Sequence, residues 1–163
     1  LINSIKKLGC VKYPSISFIQ EVIMAFNKSS LSAYSIADQT VAAGDFIKFD
    51  INRVHTGASI QHVPNGTAVV LAGAGLYSGA FNANFTADAS GATTFQLYRN
   101  GVPVAGALAE HQATADVPIA VAFPILELVR PNCVAIDNTA VLQVQVSAAG
   151  TINAANINLV KEA

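Results

Sequence analysis

From Phe46 onward the chain is written in short runs of alternating apolar and polar residues, the period-two pattern of strands that bury one face. Ile47, Phe49 and Ile51 alternate with Lys48 and Asp50, which predicts a strand with its apolar side turned inward. Pro64-Asn65-Gly66 separates Ile60 to Val63 from Thr67 to Leu71 and predicts a hairpin, because Gly and Asn accept the positive φ of a tight reversal. After Gly73 and Gly75, the residues Tyr77, Gly79, Phe81, Ala83 and Phe85 share one face, opposite Ser78, Ala80, Asn82 and Asn84, in what reads as a central strand. Phe95 and Leu97 alternate with Gln96 and Tyr98 up to Asn100-Gly101, the strongest hairpin signal in the chain. Val102-Pro103-Val104 continues beyond it, and Pro103 marks an edge or a short return strand. Ile119 to Val129 is apolar on both faces, as expected of a strand covered by the core on one side and a neighbouring subunit on the other. Leu142, Val144 and Val146 alternate with Gln143 and Gln145, Gly150 interrupts, and Ile157 and Leu159 alternate with Asn156 and Asn158. No stretch keeps the i, i+3, i+4, i+7 spacing of a helix for long, so the reading is all-β, with roughly eight to ten strands, the number a jelly roll uses.

The first 35 residues stand apart from this pattern. They are assigned to an N-terminal segment and residues 36–163 to one domain, since no repeat and no linker divides the remainder. Residues 20–24, Gln-Glu-Val-Ile-Met, can be encoded by a purine-rich ribosome-binding sequence followed by ATG, which makes Met24 the expected start and residues 1–23 upstream sequence.

Composition sharpens the picture at one point. Charged residues are 12% of the 163, against about 25% in ordinary soluble domains, while 52% are hydrophobic. A lone sandwich so composed is short of polar side chains to cover itself, and the surplus apolar surface is expected to meet other copies of the chain. The longest apolar run, Ile119 to Leu126, contains Pro124 and is far shorter than the roughly 20 residues a membrane-spanning helix needs, so no membrane insertion is expected. A net charge of −1, with no basic cluster beyond Lys6, Lys7 and Lys12, argues against nucleic acid as a partner. Those lysines also interrupt the apolar stretch around Leu8-Gly9-Cys10 that a signal peptide would require.

Candidate chemistry is sparse. His55 and His62 flank an expected turn but lack carboxylate or further His neighbours in sequence, so they read as surface or hydrogen-bonded histidines rather than metal ligands. Glu110-His111 with Asp116 could be drawn as an acid/base group, yet no nucleophile sits in a recognised elbow, and the surrounding Ala and Thr read as a loop. Cys10 and Cys133 read as free thiols, with Cys133 a small buried apolar residue ahead of a turn at Asp137-Asn138. No catalytic residue, cofactor or metal site is assigned. For subunit contacts the candidates are Tyr77, Phe81, Phe85, Phe123 and Leu142, each equally suited to the core of a single sandwich, because both settings demand apolar side chains.

Gly75-Leu76-Tyr77, then Phe81, then Phe95-Gln96-Leu97-Tyr98-Arg99-Asn100-Gly101-Val102-Pro103-Val104 resemble the tumour necrosis factor-like superfamily. Within it the sequence is most similar to the complement-type globular heads and to the C-terminal domain of the bacterial spore-surface collagen-like glycoprotein BclA. Ile157-Asn158-Leu159-Val160-Lys161 resembles their last strand, and the likeness spans about residues 40–163. The resemblance implies a ten-stranded antiparallel TNF-like jelly roll that assembles as a homotrimer and serves display, adhesion or recognition. Glycines show no three-residue period, so the collagen stalk of the spore protein has no counterpart. Two non-enzymatic roles are therefore carried forward: a trimeric module on a bacterial spore or cell surface that meets a glycan or protein receptor, and a phage virion decoration or head-fibre protein docked on a capsid. A third class, a small carbohydrate-active or metal-dependent jelly-roll enzyme, requires a cluster of His and carboxylates that the sequence does not assemble.

Overall fold

The computed structural model describes residues 28–131 and 139–162. Over these residues the chain forms eleven strands: β1 (Ser30–Tyr34), β2 (Gln39–Val41), β3 (Ile51–Thr56), β4 (Ile60–His62), β5 (Val69–Ala72), β6 (Gly75–Ala87), β7 (Gly91–Arg99), β8 (Val102–Ala113), β9 (Pro118–Val129), β10 (Thr139–Val146) and β11 (Gly150–Lys161). All pair antiparallel in two sheets. Sheet I has the order β3-β1-β11-β6-β9, with β2 also on β11, and sheet II the order β4-β5-β10-β7-β8. The chain passes from sheet I to sheet II and back between β6, β7–β8, β9, β10 and β11, and so wraps both layers around one core in a jelly roll.

Alternation in sequence becomes alternation in burial. Positions along β9 and β10 go in and out without a break, and the inward residues interleave between the sheets. At the centre the rings of Phe81 and Phe123 lie 5.1 Å apart, Phe81 and Phe95 6.2 Å, Phe85 and Phe95 5.4 Å, and Phe49 and Phe81 6.5 Å. Such contacts stabilise by about 0.5–1.5 kcal/mol each beyond the area they bury. The hairpin expected at Asn100-Gly101 joins β7 to β8, and both residues are left-handed, with φ of 51° and 79°, as a two-residue reversal demands. The Pro64-Asn65-Gly66 hairpin joins β4 to β5, with Ile60 opposite Leu71 and Asn65 at φ 66°.

Several expectations are corrected. Ile47 and Phe49 are buried, but they belong to a segment held by isolated bridges, Phe46 to Gln145 and Phe49 to Gly66, rather than to a regular strand. Ile51 begins β3 and is 36% exposed, so the inward phase does not carry across Asp50. Val102-Pro103-Val104 opens a strand of 12 residues rather than a short return, although β8 is an edge as Pro103 suggested. Glu110 and His111 lie within that strand and not in a loop. The sandwich also includes β1, which the sequence placed in an N-terminal segment ending at residue 35: Leu31 and Ala33 are in the core, and β1 pairs with both β3 and β11. The proposed start at Met24, Cys10, Cys133 and the Asp137-Asn138 turn fall outside the described residues.

β8 and β9 are the open edges on one side of the sandwich, and they carry Pro103, Pro118 and Pro124. Proline has no N–H to offer a further strand, so these edges are poor templates for extending either sheet.

Candidate interaction surface

The outer face of sheet I over β11, β6 and β9 is built from residues that the strand period turns away from the core. On β6 these are Ser78, Ala80, Asn82 and Asn84. On β9 they are Ala120, Ala122, Pro124, Leu126 and Leu128, and on β11 Ala154, Asn156, Asn158 and Val160. None is charged. β6 has no charged residue along its 13 positions, β9 has only Glu127, which points inward and is 4% exposed, and β11 has only Lys161 at its end. Lys161 is occupied at the rim, its Nζ 5.8 Å from the centroid of the Tyr77 ring.

In place of charges the face carries small apolar side chains and amides. Asn156 Oδ1 accepts hydrogen bonds from Asn82 Nδ2 and Asn158 Nδ2, both at 3.2 Å, and Asn153 Oδ1 accepts from Thr86 Oγ1 at 2.7 Å. The alanines leave a shallow hollow of about 400 Å³ whose walls include Tyr34, Asn82, Asn84, Ala120, Ala122 and Asn156. Further along β9 on the same face, Leu126 is 68% exposed and Leu128 48%. Depletion of charge around apolar anchors is what distinguishes the centre of a protein interface from ordinary surface. At the rim Ser78 Oγ donates a hydrogen bond to the Glu162 carboxylate, and the rest of this face over three adjacent strands carries no charged side chain.

Among the described residues Glu127 is the one buried carboxylate, and it is the single interruption in the apolar inward face of β9. Its Oε2 accepts a hydrogen bond from Arg99 Nη1 at 3.0 Å, which ties the edge of sheet I to β7 of sheet II. The apolar run of the sequence hid this role, since one acid among leucines carries no pattern of its own.

The five residues named from sequence as contact or core candidates all lie inside one sandwich. Tyr77, Phe81, Phe85 and Leu142 are fully buried and Phe123 nearly so, and the Tyr77 hydroxyl donates to the backbone oxygens of Ala72 and Gly73 at 3.0 and 2.9 Å. They pack the core of a single chain. The exposed large apolar residues are a different set, and among them Leu126 and Leu128 occupy even positions of β9, on the face that the sequence assigned to a neighbour.

The histidines are structural struts. His55 Nε2 lies 2.9 Å from the Ile60 oxygen, while His62 is buried, with Nδ1 2.6 Å from Asn52 Oδ1 and Nε2 3.2 Å from the Gly66 oxygen. Burial pushes the His62 pKa below its ordinary value, opposed by the hydrogen bond to Gly66 and assisted by the nearby His55. Glu110 and His111 are exposed on β8, and Asp116 sits with φ 60° in the turn to β9. Among the described residues no group of three or more His, Cys, Asp or Glu side chains is placed to hold a metal ion.

The architecture is an antiparallel jelly roll of one six-stranded and one five-stranded sheet, a fold shared with TNF-like and complement-type solved structures. Among solved structures the chain is similar to the globular domain of zebrafish complement 1qA, at TM-score 0.61 and 11% identity over 83% of this chain and 98% of that one. Murine APRIL matches at TM-score 0.59 and 11% identity, covering 82% and 98%. The PRD1 vertex protein P5 matches at TM-score 0.52 and 15% identity, covering 82% and 96%. No protein-family model matches the sequence, and no curated protein does either. At these identities the likeness establishes the fold.

Proposed function

We propose that this protein is a non-catalytic interaction module that works as a homotrimer, its subunits packing through the outer face of sheet I. The observation that carries the reading is the uncharged face over β11, β6 and β9 with Leu126 and Leu128 standing out of it. A jelly roll of the same type in complement 1qA, APRIL and the vertex protein supports an interaction role over a catalytic one. The setting we infer is a particle surface, where the trimer presents three identical loop sets to a receptor and gains avidity from their number. The likeness to a phage vertex protein favours a virion, with the module docked on a capsid. The resemblance of the sequence to the spore-surface protein BclA supports the alternative of a bacterial spore or cell surface. The test is sedimentation velocity or mass photometry of the purified chain at micromolar concentration. The expected species has three times the 16.9 kDa chain mass; a monomer overturns the proposal.

A further inference from the structure

A second surface of different chemistry lies where β2 of sheet I meets the segment that leads into β3. Phe46 bridges to Gln145 at the side of β10, and its half-buried ring meets that of Tyr98 on β7 edge to face, with centroids 5.6 Å apart. Beside this pair opens a pocket of about 310 Å³, walled by Gln39, Thr40, Asp45, Phe46, Lys48 and Thr67. The walls are fixed in place by hydrogen bonds. Gln39 grips the backbone of residue 48 twice, Oε1 accepting from its N–H at 3.0 Å and Nε2 donating to its oxygen at 3.2 Å. Asp45 Oδ2 accepts the Ala42 N–H at 2.8 Å, Gln143 Nε2 donates to Thr67 Oγ1 at 3.0 Å, and Gln145 Nε2 donates to the Gly44 oxygen at 2.8 Å.

We propose that this pocket binds an uncharged pyranose sugar, the Phe46 ring taking the C–H face and Thr67, Asp45 and Lys48 the hydroxyls. Three features select that class. An aromatic wall offers an apolar surface to the axial hydrogens of a sugar ring, while the polar groups opposite combine donors and acceptors, as a vicinal diol requires. One carboxylate and one ammonium leave no net field to attract a phosphate or a polyanion. The clamps on residues 39–48 hold the walls before the ligand arrives, which lowers the ordering cost of a small contact. None of the pocket's walls belongs to the uncharged surface over β11, β6 and β9, so the inference does not rest on that surface being an interface.

The experiment is saturation-transfer difference NMR on the full chain with methyl glycosides of glucose, galactose, N-acetylglucosamine and rhamnose at millimolar concentration. At least one sugar is expected to receive saturation, concentrated on the ring protons of one face. Phe46→Ala should abolish the transfer, and Thr67→Val and Lys48→Met should each weaken it several-fold, since each removes a hydrogen-bonding group from the pocket wall. Circular dichroism establishes that each variant is folded; should Phe46→Ala fail to fold, Thr67→Val carries the comparison. No transfer to any of the four sugars from the folded parent overturns the proposal. So does transfer that survives both the Phe46 and the Thr67 substitutions.

Discussion

Replacing Leu126 and Leu128 together by Ser removes the two most protruding apolar side chains from the uncharged face while leaving the core untouched. At 68% and 48% exposure they present slightly more than one whole leucine to water. Covering that much side chain stabilises an interface by about 2–3 kcal/mol. The proposed closed ring of three would contain three such interfaces, so the double variant should lose about 6–9 kcal/mol between trimer and separated subunits, or roughly four to six orders of magnitude in the association constant. Sedimentation velocity across a dilution series reads this as trimer breakdown at far higher concentration than in the parent. The far-ultraviolet circular dichroism should stay that of a β-sandwich, because both residues point away from the core. An unchanged dissociation range refutes the placement of the interface on this face; loss of the β spectrum refutes the claim that the two leucines lie outside the fold.

Phe81→Ala acts at the other extreme. It removes the central ring of the phenylalanine cluster and should cost about 3–5 kcal/mol in urea unfolding, with a loss below about 1 kcal/mol contradicting the packing described. For the Glu127–Arg99 pair the two halves are unequal, since the acid is 5% exposed and the guanidinium 35%. Arg99→Met, which strands a buried carboxylate, should destabilise more than Glu127→Met, which leaves a cation able to reach water; equal losses in thermal unfolding would contradict the burial. His62 has a folded pKa below that of the unfolded chain, so the stability it contributes is present above about pH 6.5 and drains away as pH falls through the folded value. NMR titration should place the His62 midpoint below that of a model histidine, and His62→Gln should flatten the acid limb of the stability profile.

The strands that alternate cleanly were legible because one neighbour, the opposite sheet, sets the polarity of each. β6, β7, β10 and β11 follow that rule, and so do the two hairpins whose turns need left-handed residues. Where a second constraint intervenes, the pattern misleads. The stretch from Ile47 to Ile51 alternates in sequence, but the chain leaves sheet II after Phe49 and joins the edge of sheet I at Ile51, so its phase is broken by the crossover. β1 has the serine-rich sequence Ser-Leu-Ser-Ala-Tyr, too short and too polar to announce a strand, and owes its place to β3 and β11 on either side. Glu110 and His111 are polar on an exposed edge strand, which hydropathy alone cannot tell from a loop. The aromatic candidates are buried in the sandwich, but interior and interface ask for the same side chains, and only the register separates Phe123, facing in, from Leu126, facing out.

The pairing of the first strand with the last gives the molecule a fixed polarity. Ser30 sits opposite Val160, and the N–H of Lys161 donates to the Ser29 oxygen at 2.9 Å, so both ends of the sandwich emerge at one pole. The turns at residues 88–90, 114–117 and 147–149 gather at the other, where β6 and β11 meet at Ala87 and Gly150. Anything tethered at either terminus, whether a shell, a fibre or an engineered fusion, would hold the domain by its base and leave the far crown unobstructed toward the surroundings.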